Sequence, residues 1–169
     1  MGAPTLNGRD IPIDFDEEFV NQMFEAGGFR FRWTAVSMGN PHFITFEPQP
    51  DDAIRKLGPA VESHPFFPER TNVEFATVSA PQNPEEIPKI DIKVFERGVG
   101  WTLACGTGAC ATTVAAALNK LVPFDVPIEV HLPGGWLKIT VFDNLKSVMM
   151  EGPVAFVFEG ETDIPVGSQ

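Results

Sequence analysis

The sequence has little positive charge. Its 169 residues include 12 lysines and arginines against 23 aspartates and glutamates, which gives a formal net charge of -11. Binding to nucleic acid or to an anionic membrane depends on lysine and arginine side chains that neutralise phosphates. The deficit of basic residues therefore argues against both of these partners.

Cysteine and histidine are also scarce. The two cysteines, Cys105 and Cys110, lie five residues apart, and the three histidines, His42, His64 and His131, are isolated from one another. A disulfide framework or a zinc site needs more ligands at closer spacings. We therefore expect no metal ion. No lysine has a sequence context typical of a Schiff-base former, so pyridoxal phosphate is not expected either.

The sequence has no apolar run that is long enough to span a bilayer. The N-terminal stretch MGAPTLNGRDIPIDFDEEF has no basic region followed by an apolar one, so it does not resemble a secretory signal. These features predict a cytoplasmic protein. The length suits one domain over residues 1–169.

The sequence is rich in strand patterns. In residues 29–38, bulky apolar side chains alternate with Arg30, Arg32 and Thr34, which predicts a strand with one buried face. A turn at GNPH, residues 39–42, should present Asn40 and His42 before the next strand. Further strands are predicted over 70–80, 88–98, 128–132 and 136–142, and SVMMEGPVAFVFEG, residues 147–160, predicts one or two more.

Two helices are predicted among these strands. Residues 50–64 show helical spacing of apolar side chains, with a break expected near Gly58 and Pro59. From Gly106 to about Asn119 nearly every residue is small or apolar, so this second helix has no polar face and must be enclosed by sheet. We predict an α+β fold in which a curved, mostly antiparallel sheet wraps round this central apolar helix.

Cys105 immediately precedes that apolar helix, within the stretch ACGTGACA. At this position the helix dipole and the unpaired amides of Gly106, Thr107 and Gly108 should lower the pKa of the thiol, and the same amides could hold a carboxylate. The alternative is that Cys105 is an ordinary buried core residue, which the residues alone slightly favour. Cys110, inside the helix, is interpreted as core.

Glu96 is in phase with the core-facing side chains of its predicted strand. We therefore expect it at the strand end, beside a cavity, where its charge is not fully buried. A carboxylate close to Cys105 would favour the neutral thiol. By themselves, Asn40, Asn72, His42 and Arg97 could equally be turn or surface residues.

Five motifs taken together resemble the diaminopimelate epimerase family of amino-acid epimerases, which use no cofactor in lysine and peptidoglycan biosynthesis. They occur in the family's order: SMGNPHFITF, FPERTNVEFATV, FERGVGWTLACGTGACA, HLPGGWLKI and MEGPVAFVFEGE. The resemblance runs from about residue 1 to residue 160. It implies the epimerase-like fold and a mechanism in which one cysteine removes the α-proton and a second returns a proton on the opposite face.

The resemblance also implies a role for each candidate residue. Cys105 is similar to one of the two acid/base cysteines, Glu96 to its carboxylate partner, and His42 to the histidine that assists the opposite cysteine. The remaining matches are substrate-binding positions. Asn40, Asn72 and Arg97 correspond to those that hold the distal end of the substrate, and Gly106 and Thr107 to the amides that bind its reacting carboxylate.

One departure from the family qualifies these expectations. The chain resembles only the C-terminal half of the enzyme, and the other cysteine belongs to an N-terminal domain. Cys110 cannot replace it, because Cys110 lies inside the helix. We therefore expect a half-site that is inactive alone and that is completed by the missing N-terminal domain or by a second copy in a homodimer. The alternative is a catalytically incomplete binding or assembly module.

Overall fold

The structure is a computed structural model that describes residues 1–79, 81, 83, 86–161 and 163. Over these residues, nine strands and two α-helices are present, and the predicted α+β class is confirmed. In chain order they are β1 (Gln22–Ala26), β2 (Phe29–Ser37), β3 (Pro41–Thr45), α1 (Asp51–Glu62), β4 (Asn72–Ser79), β5 (Lys89–Glu96), β6 (Gly100–Thr102), α2 (Gly106–Leu118), β7 (Ile128–Leu132), β8 (Gly135–Val141) and β9 (Val148–Glu151).

The strands form one mixed sheet in the order β1-β2-β3-β4-β5-β7-β8-β9, and β6 pairs with β5 outside this path. Two neighbouring pairs are parallel, β3 with β4 and β5 with β7, while the other pairs are antiparallel. A parallel pair needs a crossover connection. The two helices supply these crossovers, α1 between β3 and β4 and α2 between β5 and β7.

Helix α2 packs against one face of the sheet. Every residue from position 108 to position 117 is buried, and the helix contacts β2, β3, β4, β5, β7 and β8. Its run of alanines allows the backbone of the helix to approach the sheet closely, because the side chains are small. Val36, Ile44 and Ile92 belong to the core on this face. The packing fixes the start of α2, and therefore Cys105, relative to β3, β4 and β5.

Helix α1 covers the opposite face, where a second core is built from aromatic rings. Trp33 stacks on Phe43 with ring centroids 4.5 Å apart. The predicted break in α1 is wrong, since the helix runs through Gly58 and Pro59 without interruption. Burial of Leu57 on the aromatic core outweighs the hydrogen bond that proline cannot donate, and Gly58 lets the helix pack directly on Phe95.

The last predicted strand region forms only β9 among the described residues. Residues 152–161 have no regular structure, and Val154, Phe156, Val157 and Phe158 are each at least 79% exposed. For the part of the chain that the structure covers, neither helix combines the length and the apolar character needed to cross a bilayer.

Candidate active site

Cys105 is the N-cap residue of α2. Its Sγ accepts a hydrogen bond from the backbone N–H of Gly108 at 3.3 Å and lies 3.6 Å from the hydroxyl oxygen of Thr107. The side chain is buried, with 8% of the residue exposed. The sulfur therefore occupies the place that a serine or aspartate oxygen commonly takes at a helix start.

The environment of Cys105 raises the pKa of its thiol. Burial is the largest cause and the carboxyls of Glu74 and Glu96 act in the same direction, while the hydrogen bonds from Thr107 and Gly108 lower it. The donors at the helix start lower this pKa as predicted, but loss of solvent and the two carboxyls outweigh them. Burial also raises the pKa of Cys110, to about 12, which favours the neutral thiol.

Glu96 ends β5 as predicted. Ile90, Ile92 and Val94 are buried along the strand, whereas Glu96 is half-buried at its end. Its Oε1 accepts a hydrogen bond from the hydroxyl of Thr102 at 2.6 Å. Sequence reasoning missed Thr102, which pairs with Val94 across the turn that joins β5 to β6.

His42 lies inside β3 and is fully buried, so its predicted position in the turn is wrong. Its Nδ1 is 2.6 Å from Oε1 of Glu74, and its Nε2 is 3.0 Å from Oδ1 of Asn40. Asn40 remains in the turn, and its Nδ2 donates to the hydroxyl oxygen of Thr107 at 3.3 Å. The structure therefore brings His42, Asn40, Thr107 and Cys105 together.

Asn72 joins two of the sequence motifs. Its Nδ2 donates to the carbonyl of Pro41 at 2.8 Å, and its Oδ1 accepts from the backbone N–H of Arg97 at 2.9 Å. The guanidinium of Arg97 donates to the carbonyl of Glu69 at 3.1 Å. The contacts of Asn72 are thus with the backbone, and they hold the GNPH turn against the end of β5.

Glu74 is a site residue that sequence reasoning missed. It lies in the middle of β4, is fully buried, and leaves its Oε2 without a hydrogen-bond partner in the part of the chain that the structure describes. Burial raises the pKa of this carboxyl, while His42 acts to lower it. The available signal was a carboxylate in the middle of the strand NVEFATVS, where apolar residues flank it on both sides.

Gly108 allows α2 to approach Glu74. A Cβ at this position would lie 2.8 Å from Oε1 of Glu74 and 3.0 Å from Sγ of Cys105. We expect Gly108→Ala to lower the free energy of unfolding by about 1–3 kcal/mol, since such overpacking exceeds the gain from a better helix former. Urea denaturation measures this change.

The matched control for that variant is Gly106→Ala. Its Cβ would meet only the flexible side chain of Met150, with Sδ at 3.4 Å. We expect the stability of this control to stay within about 0.5 kcal/mol of the parent or to rise. A Gly108→Ala variant as stable as the control would contradict the close packing of Glu74 on α2.

The site places a group that can exchange a proton next to backbone donors that can hold an anion. Cys105 can take or give a proton, and the backbone N–H groups of Gly106 and Thr107 lie in the first turn of α2, where a carboxylate can be held. Nowhere in the described ranges do three histidine, cysteine, aspartate or glutamate side chains come together as a metal cluster would require.

The matching family model and the curated relatives indicate the same family. The model of the family described as diaminopimelate epimerase matches residues 34–157. A diaminopimelate epimerase of Leptospira biflexa is 44% identical over 97% of this chain and 56% of its own length, and that of Desulfitobacterium hafniense is 44% identical over 95% and 54%. The enzyme of Carboxydothermus hydrogenoformans is 46% identical over 95% and 56%.

A solved structure of a phenazine biosynthesis protein of the PhzF family from Bacillus anthracis is more distant. It is 18% identical with a TM-score of 0.49, and the match covers 76% of this chain and 40% of that one. The likeness has no bearing on function. The chain spans about half the length of the curated relatives it matches.

Proposed function

The chain belongs to the diaminopimelate epimerase family, and we propose that it supplies one cysteine half-site of a cofactor-independent diaminopimelate epimerase. The observation that carries the proposal is the geometry of Cys105, an N-cap thiol that hydrogen bonds to Gly108 and lies next to Thr107. In the proposal, the thiolate of Cys105 removes the α-proton on one face, and a second cysteine returns a proton on the other.

Each proton in this mechanism is accounted for. Removal of the α-proton by Cys105 gives a thiol and a carbanion-like carbon, and the opposite thiol then protonates that carbon and becomes a thiolate. In the reverse direction the two cysteines exchange roles. A raised pKa is compatible with such a residue, because Cys105 must carry a proton at the start of one direction.

The other candidate residues are assigned around the substrate. The amides of Gly106 and Thr107 hold the reacting carboxylate and stabilise the negative charge that develops beside it. Glu96 binds the reacting amino group, and Asn40, Asn72 and Arg97 surround the distal end. His42 assists the proton transfer, and because it is buried in β3 it does so through its hydrogen-bond partners.

A second domain is part of the proposal. The surface close to Cys105 carries exposed apolar side chains, with Leu103 69% and Met150 38% exposed. Met150 lies against the first residue of α2. Apolar groups beside a proposed polar site are typical of a surface that another domain covers. The part of the relatives that this chain does not match would supply that domain and the second cysteine.

We expect the chain alone to give no measurable epimerisation, because in this proposal the cysteine that protonates the opposite face belongs to the second domain. Mixing it with the part of the Leptospira biflexa relative that it does not match, which we expect to be the N-terminal domain, should restore turnover. The measurement is incorporation of solvent deuterium at the α-carbon of LL- or meso-diaminopimelate, followed by NMR.

Other outcomes discriminate the alternatives. Turnover by the monomeric chain would contradict the half-site. Turnover that rises with the square of the chain concentration would show that two copies form the site. Calorimetric binding of diaminopimelate without any exchange, even after mixing, would favour a binding or assembly module.

A further inference from the structure

Glu74 begins a continuous series of hydrogen bonds that ends at Cys105. The series runs from Oε1 of Glu74 to Nδ1 of His42 at 2.6 Å, and from Nε2 of His42 to Oδ1 of Asn40 at 3.0 Å. It continues from Nδ2 of Asn40 to the hydroxyl of Thr107 at 3.3 Å, and from that hydroxyl to Sγ of Cys105 at 3.6 Å. Its inner half is buried, and its outer half reaches the candidate active site.

One arrangement of protons lets every donor in this series point toward the sulfur. The carboxamide oxygen of Asn40 can only accept, so Nε2 of His42 carries a proton and donates it. The contact of 2.6 Å on the other side of the ring requires one more proton, carried by Nδ1 or by Glu74. Because Asn40 donates to the oxygen of Thr107, the hydroxyl proton of Thr107 is not used by Asn40 and can be donated to Sγ of Cys105.

We propose that Glu74 is a positioning residue that fixes the orientation of His42 and, through Asn40 and Thr107, directs the hydroxyl proton of Thr107 at the sulfur of Cys105. This inference rests on the proposed function of Cys105. Glu74 touches neither the substrate nor the sulfur in this role. The amide of Asn40 transmits the orientation of the hydrogen bonds and does not transfer a proton. Hydrogen bonds whose donors all point the same way along a series polarise one another.

The charged groups that face Cys105 are Glu74 from β4, with His42 beside it from β3, and Glu96 from the end of β5. A purely electrostatic role for Glu74 has the opposite sign to the proposed one. A carboxylate at this distance disfavours the thiolate, so its removal would shift the titration of Cys105 to lower pH. Loss of a donated hydrogen bond would shift that titration to higher pH.

The test is the pH dependence of alkylation of the purified chain by iodoacetamide. Because Cys110 is fully buried in α2, Cys105 is the reporter, and mass spectrometry identifies the modified residue. In Glu74→Gln, the new amide can turn its oxygen to His42, so that Nδ1 carries the ring proton and Nε2 becomes an acceptor. Asn40 can then reverse, so that its amide donates to Nε2 and its oxygen accepts the proton of Thr107. We expect the alkylation midpoint to rise by about 0.5–1 pH unit, the size expected for one hydrogen bond.

Two further variants make the result specific. Thr107→Val removes the last donor, so it should raise the midpoint by itself, and Glu74→Gln added to it should have no further effect. Thr112→Val is the matched control, since the hydroxyl of Thr112 is buried in α2 without a hydrogen-bond partner among the described residues. It should leave the midpoint unchanged. A fall in the midpoint, no shift, or an additive effect in the double variant would overturn the proposal.

A measurement on the unmodified chain covers the case in which Glu74→Gln does not fold. Nitrogen-15 NMR of the His42 ring should show a proton on Nε2 from pH 6 to pH 8. A ring that carries its proton on Nδ1 alone would overturn the proposed orientation. Neither test requires epimerase turnover, so a failed reconstitution with an N-terminal domain would count against the proposed function and not against this inference.

Discussion

Replacing Cys105 by alanine should abolish inversion by the reconstituted enzyme. The variant removes the group that takes or gives the proton on one face, and a positioned acid/base side chain contributes about 10²–10⁴-fold to rate. We therefore expect epimerisation of diaminopimelate to fall by at least about 10²-fold, with binding of the substrate largely retained. Deuterium incorporation with inversion, followed by NMR, measures the rate, and calorimetry measures binding.

Cys110→Ala is the control that separates the two cysteines. Cys110 is buried inside α2, and its thiol is kept neutral because its pKa is raised to about 12. The smaller side chain should cost about 1 kcal/mol of stability and leave turnover within a few-fold of the parent. Equal losses in the two variants, or an unchanged rate in Cys105→Ala, would contradict the assignment of Cys105 as the acid/base.

The largest effect on stability is expected from His42→Ala. This variant leaves the fully buried carboxyl of Glu74 without its partner, and breaking a buried pair costs about 3–5 kcal/mol. Since the free energy of unfolding of an ordinary domain is only about 5–15 kcal/mol, the variant would lose much of its stability. Urea denaturation at several pH values measures the change.

The pH dependence of that loss has a definite sign. Burial already raises the pKa of Glu74 above its ordinary value of 4.5, and His42 limits the rise. Without His42 the pKa rises further, so the folded state holds a proton that the unfolded state releases above about pH 4.5. Stability then falls as the pH increases through this window. The deficit of His42→Ala relative to the parent should be larger at pH 8 than at pH 5.

His131→Ala provides the matched control. His131 also pairs with a carboxylate, that of Glu129, but its side chain is 42% exposed. Loss of a surface pair should cost less than about 1 kcal/mol. A deficit for His42→Ala that is equally small, or that does not change with pH, would contradict a buried and coupled pair.

Local sequence patterns predicted the elements whose side chains repeat regularly. The alternation of Ile90, Ile92 and Val94 located β5 and placed Glu96 at its end, and the apolar run after Cys105 located α2. β1 was missed because only Phe24 and Ala26 of its five residues are buried. Its pairing with β2 depends on the turn at Gly27 and Gly28, both of which have positive φ.

The candidate site was harder to predict than the strands, because its contacts join distant parts of the chain. The motifs indicated Cys105, Asn40 and His42. They did not indicate that His42 is buried and that its Nε2 contacts Asn40. Glu74 was not predicted because its partner, His42, lies 32 residues away on a parallel neighbouring strand. Parallel pairing of β3 with β4 has no local signature in the sequence, and it is this pairing that sets the two side chains together.

The exposed residues 152–161 affect how the chain can be produced and handled. Val154, Phe156 and Phe158 place apolar surface in water along a segment without regular structure. Exposed segments of this kind are preferred sites of proteolytic cleavage, and exposed apolar side chains promote association between molecules. Preparations should therefore lose solubility as concentration rises, and limited proteolysis should trim this end first, leaving the sheet and Cys105 intact.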